Sequence, residues 1–339
     1  MSRASRARRI AVAAAYGGGS VGLLTAGLLG LFRAEVALAR RAIGEARTDA
    51  PSADGLHGKE HGGEPIRFAM LGDSSAVGFG VDHAHQTPGV MLAAGVAECA
   101  ARPVHLTSLG AVGARSSDLE AQIERLPEGP LDIAVIMIGA NDVTHTVRPA
   151  AAVRRLDQAV RQLRERGAEV VVGTCPDLGT VEPVPQPLRY IARRSSRQLA
   201  AAQTIVVVEA GGRTVSLGDI LGPEFAASPS EMFGPDRFHP SVAGYASAAA
   251  ALLPSVCAAL DVWVGEETEA TPDLLRDEGV RPIALAAVEA ADEAGTEVAG
   301  AQVGGRDRGP RGRWAQLRHR PGRSTREVQA TSEEDAPLR

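Results

Sequence analysis

Lysine is nearly missing from this 339-residue chain, aromatic side chains make up only 3% of it, and there are three cysteines. Each scarcity excludes something. Cys99, Cys175 and Cys257 are odd in number and far apart along the chain, with no CxxC or Cys/His spacing, so neither a disulfide framework nor a metal centre is expected, and no cofactor motif is evident. Lys59 is the single lysine, leaving arginine to carry the positive charge. A formal net charge of -5 removes the electrostatic case for a nucleic-acid partner. Hydrophobic residues at 44% and charged residues at 23% lie near the averages of globular chains, which predicts a packed core. No internal repeat is present.

What is there begins with an uncharged run from Ile10 to Phe32, preceded by Arg3, Arg6, Arg8 and Arg9. A bilayer-spanning helix needs roughly 20 apolar residues, against about 7 to 15 for the core of a signal peptide. Residues 1–48 are therefore expected to be a membrane anchor, with cleavage after Ala37-Leu38-Ala39 and secretion as the alternative. The positive-inside rule is nearly balanced across the run, and the amino terminus tips it toward a folded domain outside the cytoplasm. Gly18, Gly22, Ala26 and Gly30 recur every four residues, a small-residue stripe on which a second copy of the span could pack. Residues 49–64 are rich in Gly, His and charge and read as a linker. Residues 265–339 turn acidic and then Arg/Gly-rich, the composition of a flexible tail.

Between these lies a domain expected over 65–264. Short apolar runs at Ile66 to Leu71, Val104 to Leu109, Ile133 to Ile138, Glu169 to Gly173 and Ile205 to Val208 predict five strands. Helices are predicted between them. The clearest runs from Pro149 to Arg166, where Val153, Leu156, Val160 and Leu163 recur at three and four residues and Gly167 supplies the stop. Thr87 to Ala101 and Ser241 to Leu260 are two more, both Ala-rich. Alternating strands and helices predict a three-layer α/β/α domain with a five-stranded parallel sheet, whose ligands bind at the carboxyl ends of the strands.

Those strand ends carry the chemistry. Gly72-Asp73-Ser74-Ser75 follows the first strand, Gly110-Ala111-Val112-Gly113 the second, and Gly139-Ala140-Asn141-Asp142 the third; Asp236-Arg237-Phe238-His239-Pro240 comes near the end. A nucleophilic serine needs a base, an acid to orient the base, and donors for an oxyanion, and every part is in this set. Taken singly, Ser74 reads as a helix cap, Asn141 as a turn residue and His239 as a core histidine held by Asp236. Jointly, and in this order, the four segments resemble the sequence blocks of the SGNH hydrolases, the GDSL esterase family.

That resemblance spans about Ile66 to Leu260 and implies a flavodoxin-like SGNH fold. It implies Ser74 as nucleophile, Asp236 and His239 completing the triad, and Ser74, Gly113 and Asn141 forming the oxyanion hole. Two positions depart from the commonest pattern, Ser75 after the serine and Val112 before the glycine. The implied activity is hydrolysis of a small-molecule, lipid or sugar ester through an acyl-enzyme, with transfer of the acyl group to another acceptor, or a non-catalytic binding module, as alternatives. His145 is a rival base whose evident carboxylate partner is Asp142, a residue better suited to anchoring a loop. His83 and His85 lack the further ligands a metal would need. Pro176, Pro183, Pro185 and Pro187 fall in a segment, Cys175 to Leu188, expected to wall the acyl pocket.

Overall fold

The computed structural model of the chain describes residues 50–262 and the pair Glu297–Val298. Its strands are the short apolar runs. Ile66–Gly72 (β2) is buried everywhere except Arg67, and Ile133–Met137 (β4) is buried throughout. With Val104–Ser108 (β3), Glu169–Gly173 (β5) and Arg213–Val215 (β6) they form a parallel sheet in the order β3-β2-β4-β5-β6. Gly55–His57 (β1) pairs antiparallel with β3 at one edge, and Glu297–Val298 (β7) pairs with β6 at the other. The sheet is therefore mixed and seven-stranded, two strands more than expected.

Alternate residues of each strand feed two cores. Phe68, Met70 and Val135 face Leu92, Val96, Leu252 and Val256 of the helices Pro88–Ala100 (α2) and Val242–Ala259. Ala69, Leu71 and Ile136 face Leu156, Val160 and Leu163 of the helix Pro149–Glu165, together with Val207. Each such fully buried aliphatic side chain contributes roughly 1.5 to 3 kcal/mol, so burial on both faces explains why nearly continuous apolar strands are stable here. The remaining helices are Ser74–Val77 (α1), Leu119–Glu124 (α3), Ala140–Thr144 (α4) and Leu188–Glu209 (α6). Counting Pro149–Glu165 as α5, the short helices Leu217–Ile220, Gly222–Ala227 and Pro229–Met232 are α7, α8 and α9, and Val242–Ala259 is α10. The expected stop is in place, Gly167 taking φ +84 just past α5, and Thr87 Oγ1 and Ser241 Oγ cap α2 and α10 by accepting from Val90 N and Gly244 N.

Three expectations need correction. Ile205 to Val208 is not a strand; it is the last turn of α6, and the fifth parallel strand is Arg213–Val215. Ser196, Leu199, Gln203 and Val207 are buried at steps of three and four, so a helical face was available and its packing overrode the β-propensity of the Ile-Val-Val-Val run. The 49–64 segment contains a strand as well as loop, because β1 pairs with β3, Asp54 Oδ1 accepts from Ser108 N, and Ala53 is buried. Within 265–339, Glu297–Val298 adds an edge strand and buries Val298 in the α2/α10 core.

The anchor, the cleavage site and the Gly18/Gly22/Ala26/Gly30 stripe lie outside the described residues. Among the described residues one helix, α10, is long and apolar enough to cross a membrane, and it is a core helix here, with Tyr245, Leu252 and Val256 fully buried.

Candidate active site

The carboxyl end of β2 turns abruptly. Gly72 has φ +132, and a Cβ there would fall 1.9 Å from Met137 O of the neighbouring strand, so the turn demands glycine. Asp73 then caps α1, its Oδ1 accepting from Ser75 N at 2.9 Å, and Ser74 becomes the first helical residue. At that position its own N–H has no acceptor within the helix. Burial pushes the Asp73 carboxyl up to about 6, against the pull of the Ser75 N–H. Asp73 is thus a buried capping residue.

Ser74, 7% exposed, meets a residue 165 positions away: its Oγ lies 3.1 Å from His239 Nε2. Asp236 Oδ2 lies 2.6 Å from His239 Nδ1, and Asp236 Oδ1 accepts from the backbone N–H groups of Phe238 and His239, both at 3.0 Å. Burial raises the Asp236 carboxyl, but the hydrogen bonds from His239 and the two backbone N–H groups outweigh it and hold the group below the ordinary carboxylate range. One tight turn therefore aims the acid at its histidine. Two aromatic edges complete the setting, with Phe79 and Phe238 packed T-shaped on the imidazole at 4.8 and 5.0 Å.

Asn141 is the second residue of α4, reached through Gly139 at φ +133, where a Cβ would come within 2.9 Å of Cys175 Cβ. Its Nδ2 donates to Ala114 O at 3.1 Å, which leaves the second amide hydrogen for another acceptor. Asp142 accepts from both N and Oγ of Ser116, so it anchors the loop after β3 as well as beginning its own helix. Burial raises the Asp142 carboxyl. Gly113 sits in that same loop at φ +81, exposed, and is not among the residues lining the central cavity. His145 is exposed, its Nδ1 2.9 Å from Asn141 O, and is not among the residues lining the cavity. His83 and His85 stack on each other on the exposed loop before α2.

A mostly apolar cavity of about 90 Å³ opens beside Ser74, Asn141 and His239. Its walls include Met137, Leu178, Val181, Leu217, Phe225 and Phe238. Of the segment expected to form the wall, Pro176 to Val181 contributes, and Pro183, Pro185 and Pro187 do not line it. What stiffens that wall is a buried carboxylate. Asp177 accepts from Gly179 N and takes ion pairs from Arg193 and Arg197 of α6 at 3.2 and 2.9 Å.

Sequence reasoning missed several supporting residues. Gln122 clasps Gly72 through both its N–H and its carbonyl, and Gln203 bridges Ile138 O and Cys175 N. Both are buried and tie together backbone at the carboxyl ends of the strands. Tyr245, fully buried in α10, donates to Phe79 O and so fixes the aromatic against His239. One signal was available: in a chain poor in aromatics, four of the six phenylalanines, Phe79, Phe225, Phe233 and Phe238, gather at this site or its cavity wall.

A serine hydrogen-bonded to a histidine, at the carboxyl edge of a sheet covered by helices and beside an apolar cavity, suits a hydrolase, and the family narrows the class to those that act on esters. The chain belongs to the GDSL-like lipase/acylhydrolase family, whose model matches residues 70–247. It is 40% identical over 257 residues to the GDSL-like esterase Rv1075c of Mycobacterium tuberculosis, an alignment covering 72% of this chain and 81% of that one. Among solved structures it is similar to TesA, at 21% identity and a TM-score of 0.43 over 58% of this chain and 99% of that one. A lipase/acylhydrolase from Enterococcus faecalis matches at 18% identity and a TM-score of 0.43, over 55% and 92% of the two chains.

Proposed function

We propose that the chain hydrolyses short-chain carboxylic esters through a Ser74–His239–Asp236 triad and an acyl-enzyme intermediate. The observation that carries this is the unbroken hydrogen-bonded chain from Ser74 Oγ through His239 to Asp236, opening on an apolar cavity of about 90 Å³. His239 Nε2 takes the Ser74 proton as Oγ attacks the ester carbonyl, and the carboxylate of Asp236 stabilises the imidazolium that forms. His239 then gives that proton to the departing alcohol. The oxyanion is held by the free N–H of Ser74 at the start of α1 and the second amide hydrogen of Asn141, with the Gly113 N–H as the third donor. Water, deprotonated by the same histidine, attacks the acyl-enzyme and releases the acid.

The cavity sets the acyl length. At about 90 Å³ it is small beside the roughly 300 to 1,000 Å³ of pockets for drug-sized ligands, which favours a short acyl chain. A series of p-nitrophenyl esters tests this directly. We expect kcat/KM to be greatest from acetyl to butyryl and to fall by about 10-fold or more by octanoyl, because a chain too long for the cavity pulls the carbonyl away from Ser74 Oγ. A maximum at decanoyl or longer would remove the short-acyl assignment.

Asn141 is expected to act in the transition state. Replacing it with Ala should lower kcat by about 10² to 10³ with KM nearly unchanged, since its amide meets full negative charge only as the carbonyl becomes tetrahedral. The contact with Ala114 O supplies the competing explanation, a loop brace. A variant that melts earlier yet keeps its kcat would assign Asn141 to bracing alone.

A further inference from the structure

Helices α2 and α10 lie side by side on one face of the sheet, burying Leu92, Val96, Leu252 and Val256 in a shared core. They approach closely at Gly95, where a Cβ would fall 2.7 Å from Leu253 Cδ2. Each helix lies in sequence between two parallel strands and runs back against them, so the two are parallel, and one helical turn further along each stand Cys99 and Cys257. That register brings Cys99 and Cys257 to the same level of the helix pair, Cys257 in the shared core and Cys99 packed against it. Cys257 is fully buried and Cys99 partly exposed, and neither lines the catalytic cavity. The third cysteine, Cys175, packs in a separate cluster with Ala152 and Leu199.

We propose that Cys99 and Cys257 are a latent disulfide site, which closes by thiol–disulfide exchange under oxidising conditions and clamps α2 to α10. Sequence spacing gave no hint of this, because the pair spans most of the domain and is made by helix register. The Cys99 thiolate, reachable from solvent, attacks one sulfur of a small disulfide such as oxidised glutathione and expels one thiolate. The Cys257 thiolate then attacks the Cys99 sulfur of the mixed disulfide and expels the second. The chain loses two protons and two electrons, and the incoming disulfide becomes two thiols. Burial, with the neighbouring Cys99, pushes the Cys257 thiol far above its ordinary value, so the reagent enters at Cys99 and ring closure is the slower step. A bond across so long a loop constrains the unfolded chain strongly. Oxidising conditions are those of a domain outside the cytoplasm, the location expected from the N-terminal run.

The full-length protein, incubated with oxidised glutathione and mapped without reduction, should yield one cross-linked peptide pair joining Cys99 to Cys257, with Cys175 still open to alkylation after denaturation. Its melting temperature should rise by roughly 5 °C or more and return to the starting value with dithiothreitol. Cys99→Ser and Cys257→Ala should each abolish the rise while the reduced enzymes keep their esterase activity. A stable glutathione adduct on Cys99 with Cys257 free, a cross-link that includes Cys175, or a rise that survives Cys99→Ser would overturn the proposal.

Discussion

Ser74→Ala is expected to lower kcat/KM toward p-nitrophenyl acetate by on the order of 10⁶, a loss of about 8 kcal/mol in transition-state stabilisation. The size follows from what the hydroxyl does in the proposed mechanism. Without Oγ no acyl-enzyme can form, and the cavity and oxyanion donors retain only the acceleration they give to direct attack by water. The fold should survive, since the methylene of Ser74 stays in its turn and only the contact with His239 is lost. Covalent labelling by a fluorophosphonate probe should disappear with the activity while the melting temperature shifts little. Normal turnover by the folded variant would remove Ser74 as the nucleophile, and with it the triad.

Asp236→Asn should reduce kcat by on the order of 10⁴, and the geometry says why. Oδ1 of Asp236 accepts two backbone N–H groups, so the substituted carbonyl oxygen must occupy that position and the amide NH₂ must face His239 Nδ1. A donor there forces the imidazole to carry its proton on Nε2, the atom that must accept from Ser74. The histidine is held in place in the wrong tautomer. Stability gives a second readout. The Asp236 carboxyl is held below its unfolded value, so its contribution is present above the ordinary carboxylate range and is lost as the pH falls through the lowered folded value. Melting curves of the variant should lack that part of the acid dependence. Activity within 10-fold of the parent would show that orientation by Asp236 is dispensable.

Much of the site was legible because its parts are local. Gly72-Asp73-Ser74 encodes a strand end, a cap and a first helical residue within one short segment, and Asp236 to His239 encodes an acid and its histidine within one turn. Such segments carry their geometry in their own backbone. Gln122, Gln203 and Tyr245 were not legible, for each acts on backbone distant in sequence: Gln122 on Gly72, Gln203 on Ile138 and Cys175, and Tyr245 on Phe79. A buried polar side chain on a helix announces that it needs a partner, and not which one. The misread strand at Ile205 to Val208 has the same origin, because β-branched residues suit a strand or a buried helical face, and the choice lies with the neighbours.

By itself, then, the amino-acid sequence determined the family, the alternation of strands and helices, and the identity and order of the residues that meet at the carboxyl edge of the sheet. Periodicity and turn chemistry act over a few residues, and that range is enough for those features. Only the tertiary structure decided that Ser74 reaches His239, that β1 and β7 extend the sheet, that Asp177 stiffens a cavity of about 90 Å³, and that Cys99 and Cys257 pack on one core. These depend on how helices register against one another and against the sheet, and that register is set by the packing of side chains from the whole domain at once.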